Sequence, residues 1–339
     1  NPNYMEAYSN LGIVFNSMKI DAFSEAAAKN YLDRLNFKTI VRPSNVIDSI
    51  IKLLKHHTTI KEVISRHKQG TLREAAPEFS IKLSKIPLFI KILEIVPFPN
   101  LEIEGVLTEL RRVLLIERER LSTNHNLLTF LSSLALQCFT NEFIYKETEE
   151  ETIAIEILKV NLQQAFLDEK EVSTYDLACL ACYRSLFDYK WITNITPNTI
   201  LERLFKRQVI EVNRELLLKR DIPSLSPIKN DISIAVRDQY EESPYPRWIN
   251  TQLEPKPMTL EKVLNKVNLK VSNDISLLSE KPQILIAGCG TGQHSLSTAS
   301  RFKNSHVTAI DLSLSSLAYA KRKTEEFGVT NIDYLQADI

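Results

Sequence analysis

The sequence predicts a multidomain chain. All-α N-terminal and middle regions are followed by the first half, β-α-β-α-β, of a doubly wound α/β domain. Three observations predict it. The 339 residues contain only seven glycines, and Gly288, Gly290 and Gly292 fall within five positions. Between residues 13 and 287 only Gly70 and Gly105 occur. Sheet-rich folds need glycine for turns and bulges, so this stretch excludes an all-β sandwich or barrel. From Pro43 to about Lys229 apolar residues recur with a helical period, whereas from Gln283 short apolar runs of strand length alternate with helical ones. The length also exceeds what one hydrophobic core supports, so at least two domains are expected.

Residues 1–37 read as a partial tetratricopeptide repeat. Glu6-Ala7-Tyr8-Ser9-Asn10-Leu11-Gly12, followed by Phe15, has the first-helix pattern, in which the small Gly12 lets a paired helix approach. Glu25-Ala26-Ala27 resembles the start of the second helix, after a turn two residues longer than the consensus. A lone repeat cannot bury its apolar face, so it is expected to dock on the next domain. The opening residues read as the end of an array, and Asn1 as a cut rather than a natural start.

Residues 38–230 read as an all-helical domain of about eight or nine helices. Val46, Ile47, Ile50, Leu53 and Leu54 form one apolar stripe, and Leu107, Leu110, Leu114 and Leu115 a second. Ile153, Ile157, Val160, Leu162 and Phe166 form a third. Thr148 with Glu151 and Ser173 with Asp176 have capping-box spacing, and Pro197 is expected at a first helical position. Cys179 and Cys182 form a CxxC without a second pair, inside the apolar run Leu177–Tyr183, and read as two small buried thiols. His56, His57 and His67 lack metal-ligand spacing and read as surface residues. Arg111 and Arg112, with Arg118 and Arg120, alternate with Glu109, Glu117 and Glu119, as on a solvated, salt-bridged helix.

Residues 231–280 read as an aromatic and proline-rich linker and cap. Arg237–Trp248 packs two tyrosines, one tryptophan, two prolines and five charges into twelve residues. Its prolines forbid a continuous helix, so an extended segment is expected to glue two domains together or to line a ligand mouth.

Composition narrows the classes of partner. Forty-two basic residues balance forty-two acidic ones, so no global field draws nucleic acid or an anionic membrane. No run of about 18 apolar residues occurs. Four cysteines in a chain of this length give no disulfide framework and suit a reducing cytosol. A cytoplasmic protein without a metal site is expected.

Residues 281–339 carry the chemistry. The strand Gln283–Ala287 runs into Gly288-Cys289-Gly290-Thr291-Gly292, and a helix follows from Gln293. A second strand ends at Asp311, a second helix runs to Phe327, and a third strand from Ile332 leads to Asp338. A glycine turn lets backbone pass close to a ligand, and the helix after it aims amide N–H groups there. Asp311, 23 residues beyond Gly288, stands where a carboxylate accepts both hydroxyls of an adenosine ribose. Asp338 is placed to accept from the adenine amine. Dinucleotide sites use GxGxxG, whereas the spacing here is GxGxG with Gln293 next. A tight loop of that kind favours S-adenosylmethionine, which has no phosphates, over NAD or FAD.

Ala287–Gln293, Ile310-Asp311-Leu312-Ser313 and Gln336-Ala337-Asp338-Ile339 resemble the class I S-adenosylmethionine-dependent methyltransferases. Upstream, Gln137–Phe143 with Thr148–Glu151, Gln239–Trp248 and Leu314–Lys323 are similar to bacterial proteins that join tetratricopeptide repeats to such a domain. The resemblance implies a Rossmann-like domain that binds S-adenosylmethionine through Ala287, Gly288, Cys289, Gly290, Thr291, Gly292, Gln293, Asp311, Leu312, Asp338 and Ile339. Tyr245 and Trp248 are candidates to close over the cofactor. An acid often occupies the position held here by Ile286, so contacts to the methionine end must come from elsewhere. No catalytic residue is implied, because methyl transfer rests largely on alignment and exclusion of water. The helical repeats could recruit a protein acceptor, and a small-molecule or glycan acceptor is equally compatible with the residues. A helical scaffold with a vestigial nucleotide domain and an NAD-linked enzyme stay open as rivals. The sequence ends with the third strand, so a fragment truncated at both ends, with an exposed first strand and weak cofactor binding, is expected.

Overall fold

The computed structural model describes residues 20–122, 124–225, 227–242, 244–267 and 280–338. The chain forms two compact units, one up to Val212 and one from Asn213. The sequence reading put the edge of the helical domain at 230. Leu218 and Ile222 explain the earlier division, because both lie in the core beneath the sheet of the second unit.

The described part of the first unit is helical. Its longer helices are α1 (Glu25–Asn36), α2 (Ile47–Leu54), α3 (Thr58–Lys68), α4 (Leu72–Ser84), α5 (Pro87–Ile95), α6 (Leu101–Ile116), α7 (Leu128–Thr140), α8 (Glu149–Leu167) and α9 (Thr174–Ala181), and one-turn helices span Arg118–Leu121 and Glu202–Phe205. α1 begins at the expected Glu25, after Ser24 caps the Ala27 amide. The tetratricopeptide pattern itself, from Glu6 to Phe15, lies outside the described residues. The stripes on α2 and α6 are buried as their spacing requires.

Four local expectations need correction. On α8 the buried face is Ala154, Ile155, Leu158 and Leu162, and Ile153, Ile157 and Val160 are exposed. This helix carries two apolar stripes, and periodicity alone cannot say which one meets a core. Arg111 is not on a solvated face: it is 1% exposed. Its guanidinium donates to the Lys146 carbonyl at 2.8 Å, faces Glu151 at 3.5 Å and lies 4.0 Å above the Tyr183 ring. Pro197 does not open a helix. Asn198 Oδ1 accepts the Leu201 amide at 3.0 Å, and the helix starts at Glu202. His67 is half-buried, and its Nδ1 pairs with Glu109.

Other signals survive unchanged. Thr148 and Glu151 form a reciprocal capping box at the start of α8. Cys179 and Cys182 are buried thiols that reach the Leu114 and Leu131 carbonyls.

In the second unit, α10 (Glu211–Arg220) leads to a short extended stretch, α11 (Asp231–Glu242) and α12 (Leu260–Lys266). Then come β1 (Gln283–Ala287), α13 (Gln293–Arg301), β2 (His306–Asp311), α14 (Leu314–Glu326) and β3 (Ile332–Gln336). The strands are parallel in the order β1-β2-β3, with Ile284 opposite Val307 and Ala309 opposite Tyr334. Side chains alternate across a strand, so Ile284, Ile286, Val307, Ala309 and Tyr334 pack under Leu317, Ala318 and Ala320 of α14. Leu285 points to the opposite face and is 64% exposed. Ser224 pairs with Gln336 beyond β3, whereas β1 pairs only with β2 among the described residues.

The charged aromatic segment is not extended throughout. Residues Arg237–Glu242 belong to α11, and only the stretch from Pro244 onward leaves the helix. Pro244 has no amide N–H with which to continue the helix.

Candidate functional site

The turn after β1 is built from backbone. Gly288, Gly290 and Gly292 all have positive φ, at 68°, 52° and 79°. At Gly292 a Cβ would lie 2.4 Å from Ala320 Cβ and 3.0 Å from the Tyr334 hydroxyl. Only glycine therefore lets α13 start this close to α14. At Gly290 a Cβ would meet nothing within 4 Å, so the loop faces open space there.

Asp311 closes the turn from the end of β2. Its Oδ2 accepts Gly290 N–H at 2.7 Å, and its Oδ1 accepts Ser313 N–H at 3.0 Å. Two further amides of the loop are bonded within the protein: Cys289 N–H donates to the Ile310 carbonyl at 2.9 Å, and Gly292 N–H to the Cys289 carbonyl at 3.0 Å. Three amides of the turn, those of Cys289, Gly290 and Gly292, are thus committed within the protein. Each Asp311 oxygen has accepted one donor and retains capacity for another, which suits a pair of ribose hydroxyls.

The remaining predicted residues take different places. Ala287 pairs with Ile310 at the mouth of the sheet. Cys289 is buried, and burial, with Asp311 adding to it, pushes its thiol up to about 12. It is therefore a neutral packing group rather than a nucleophile. Leu312 offers its carbonyl to Gln336 Nε2 at 2.9 Å, which ties the β2 end to β3. Asp338 Oδ1 accepts the Ser233 hydroxyl at 2.9 Å from α11. Gln293 reaches back to the Asn250 carbonyl at 3.4 Å. Ile339 lies outside the described residues.

The two aromatic candidates part company. Tyr245 is 51% exposed and free to meet a ligand. Trp248, expected to close over the site, is 6% exposed instead. Its ring stacks on Phe327 at 5.9 Å and packs against Tyr319 and Leu296. Its indole N–H donates to the Thr291 carbonyl at 2.9 Å, while the Thr291 hydroxyl donates to the Pro246 carbonyl at 2.9 Å. The segment therefore acts as a clasp on the glycine turn. Lys323 completes it by donating to the Ile249 carbonyl at 3.0 Å, with its ammonium 4.9 Å from the indole.

Glu241 and Ser313 escaped the sequence reading. Ser313 caps α14 by accepting the Ser316 amide at 3.0 Å, and a serine before an apolar helical run signals this role. Glu241 Oε1 accepts Leu314 N–H at 2.5 Å and Ser315 N–H at 3.3 Å, and Oε2 pairs with Lys219. Burial alone would raise its carboxyl, but Lys219, the Ser315 hydroxyl and the Leu314 amide hold it below the ordinary range. A helix 73 residues upstream supplies this group, and no local pattern announces it.

With this geometry in place, residues 284–339 match the family described as a methyltransferase domain. The β1-β2-β3 strands and the glycine turn lie almost entirely within that match. Over 113 residues the chain is 30% identical to an (S)-coclaurine N-methyltransferase of Thalictrum flavum subsp. glaucum, covering 27% of this chain and 31% of that protein. The chain thus spans about a third of that relative's length. No solved structure matches. Among the described residues no helix is long and apolar enough to cross a membrane.

Proposed function

We propose that the protein transfers a methyl group from S-adenosylmethionine to an acceptor side chain on another protein, with its helical regions recruiting that partner. One observation carries the cofactor reading: Asp311, at a strand end within the methyltransferase match, closes a glycine turn by accepting the Gly290 amide and keeps lone pairs for a ligand. Asp311 would hold the ribose hydroxyls and Asp338 the adenine amine, and Gly290 leaves room for the ligand. When bound, S-adenosylmethionine supplies a methyl group activated by its sulfonium. The acceptor's lone pair forms the new bond as the carbon–sulfur bond breaks, and the acceptor's proton passes to water or a base. The relative's name specifies a nitrogen acceptor, which makes nitrogen the first nucleophile to test.

Ile286 favours the scaffold reading on one point, since an apolar core residue stands at 7% exposure where related sites hold an acid. One titration separates the readings. Millimolar S-adenosylhomocysteine should shift the amide resonances of Gly288, Gly290 and Gly292, NAD should leave them in place, and Asp311→Ala should abolish the shifts. Unmoved resonances in the unaltered chain would leave the scaffold reading standing.

A further inference from the structure

Two carboxylates take consecutive amides of one turn. Asp311 accepts Ser313 N–H at 3.0 Å, and Glu241 accepts the next amide, Leu314 N–H, at 2.5 Å. Glu241 also takes Ser315 N–H at 3.3 Å and the Ser315 hydroxyl at 2.9 Å. The start of α14 has the partial positive charge of any helix N-terminus, and an acid from α11 already fills it. We infer that Glu241 is a specificity-determining residue: its carboxylate, set beside Asp311, rejects an adenosine ligand phosphorylated on its ribose 2′-oxygen and admits the unphosphorylated one. The inference rests on the adenosyl reading of the same site.

The charges around the turn support it. Doubly wound folds that accept a ribose 2′-phosphate place an arginine near the end of the second strand. Among the described residues, the charged groups bonded at this turn are two acids, Asp311 and Glu241, and one cation. Lys219 is that cation, and its ammonium is committed to Glu241 and, at 3.1 Å, to the Ser315 hydroxyl. Arg237 on α11 is engaged by Asp238 at 2.7 and 2.9 Å. A phosphate at the 2′-oxygen would therefore meet a carboxylate where it needs a guanidinium, with the helix amides already spent. Coulomb repulsion between a carboxylate and a phosphate in a partly buried site separates two ligands that differ by that phosphate.

The test uses the full chain and follows amide resonances through titrations with adenosine, adenosine 2′-phosphate and S-adenosylhomocysteine. The unaltered protein should bind adenosine more tightly than its 2′-phosphate by at least about tenfold. Glu241→Gln, whose amide oxygen can still accept Leu314 N–H, should narrow that gap by about tenfold. Asp238→Asn removes the same charge from the same helix, and the gap should persist. Equal discrimination in the unaltered protein and Glu241→Gln would overturn the inference, as would the same narrowing in Asp238→Asn. Should Glu241→Gln fail to fold, Lys219→Met provides a second reading: stripping the counter-cation should widen the gap, and an unchanged gap overturns the inference. A protein that binds adenosine and its 2′-phosphate equally would sink this inference alone. If neither adenosine nor S-adenosylhomocysteine moves any resonance, the adenosyl reading itself falls.

Discussion

The carboxylate of Asp311 holds the amide of Gly290 at 2.7 Å, so one side chain both shapes the glycine turn and presents the acid of the site. Asp311→Asn should therefore lose on two counts. A hydrogen bond to a charged acceptor contributes about 1.5–3 kcal/mol, and the asparagine amide cannot accept at both positions. Unfolding by urea should show a loss of that order, with S-adenosylhomocysteine shifts weakened or gone. Unchanged stability would mean that the turn is held by its glycines alone.

Gly292→Ala should be the most damaging single change in the loop. The new methyl group would collide with Ala320 while the backbone holds φ at 79°. Steric overpacking and left-handed strain together predict a loss of about 2–4 kcal/mol. Gly290→Ala meets only open space, so it should cost less folding energy and act mainly on ligand binding. Equal melting temperatures for the two variants would contradict this contrast.

Trp248 and Tyr245 should separate stability from binding. Trp248→Ala removes a buried ring and the bond to Thr291, at a cost of about 3–5 kcal/mol. Tyr245→Ala should leave the melting temperature almost unchanged and weaken cofactor binding. A Tyr245→Ala protein with unaltered affinity would remove Tyr245 from the site.

In the helical unit, Arg111 and Glu151 are both 1% exposed, and Glu151 also accepts the Tyr183 hydroxyl at 2.6 Å. Arg111→Met strands a buried carboxylate and should cost about 3–5 kcal/mol. Adding Glu151→Gln should restore part of that loss. Each unit holds one tryptophan, Trp191 in the first and Trp248 in the second, so a Trp248→Phe background isolates the signal of the helical unit. A double variant no better than Arg111→Met would exclude a charge-based account.

Acid should weaken the protein partly through Glu102. Hydrogen bonds from Lys55 and Lys68 lower its carboxyl to about 2. A depressed folded value means the contribution is complete above the unfolded value of about 4.3 and fades as pH falls toward 2. All three side chains are at least one-third exposed, so the effect is small and screened. Glu102→Gln should flatten the acid limb of the stability curve at low salt and leave it unchanged at high salt. An identical difference at both salt levels would rule out an ion-pair origin.

The sequence by itself determined what short-range geometry controls. Three clustered glycines, a strand of five residues before them and acids at two strand ends announced the turn, because positive φ and close backbone approach select glycine locally. The capping box at Thr148 and Glu151 was legible for the same reason. Which stripe of α8 meets the core was not, because Ile153 and Ile155 are equally apolar and only neighbouring helices distinguish them. Burial of Arg111 was equally hidden, since its partners Lys146, Glu151 and Tyr183 lie far along the chain. Composition left Trp248 open as glue or as a ligand contact and the family resemblance pointed to the ligand, and only the packing of Phe327, Tyr319 and Leu296 made it a clasp. Glu241 shows the limit most clearly. Its partners stand 73 and 74 residues away, and a carboxylate finds a helix N-terminus at that separation only after the chain has folded.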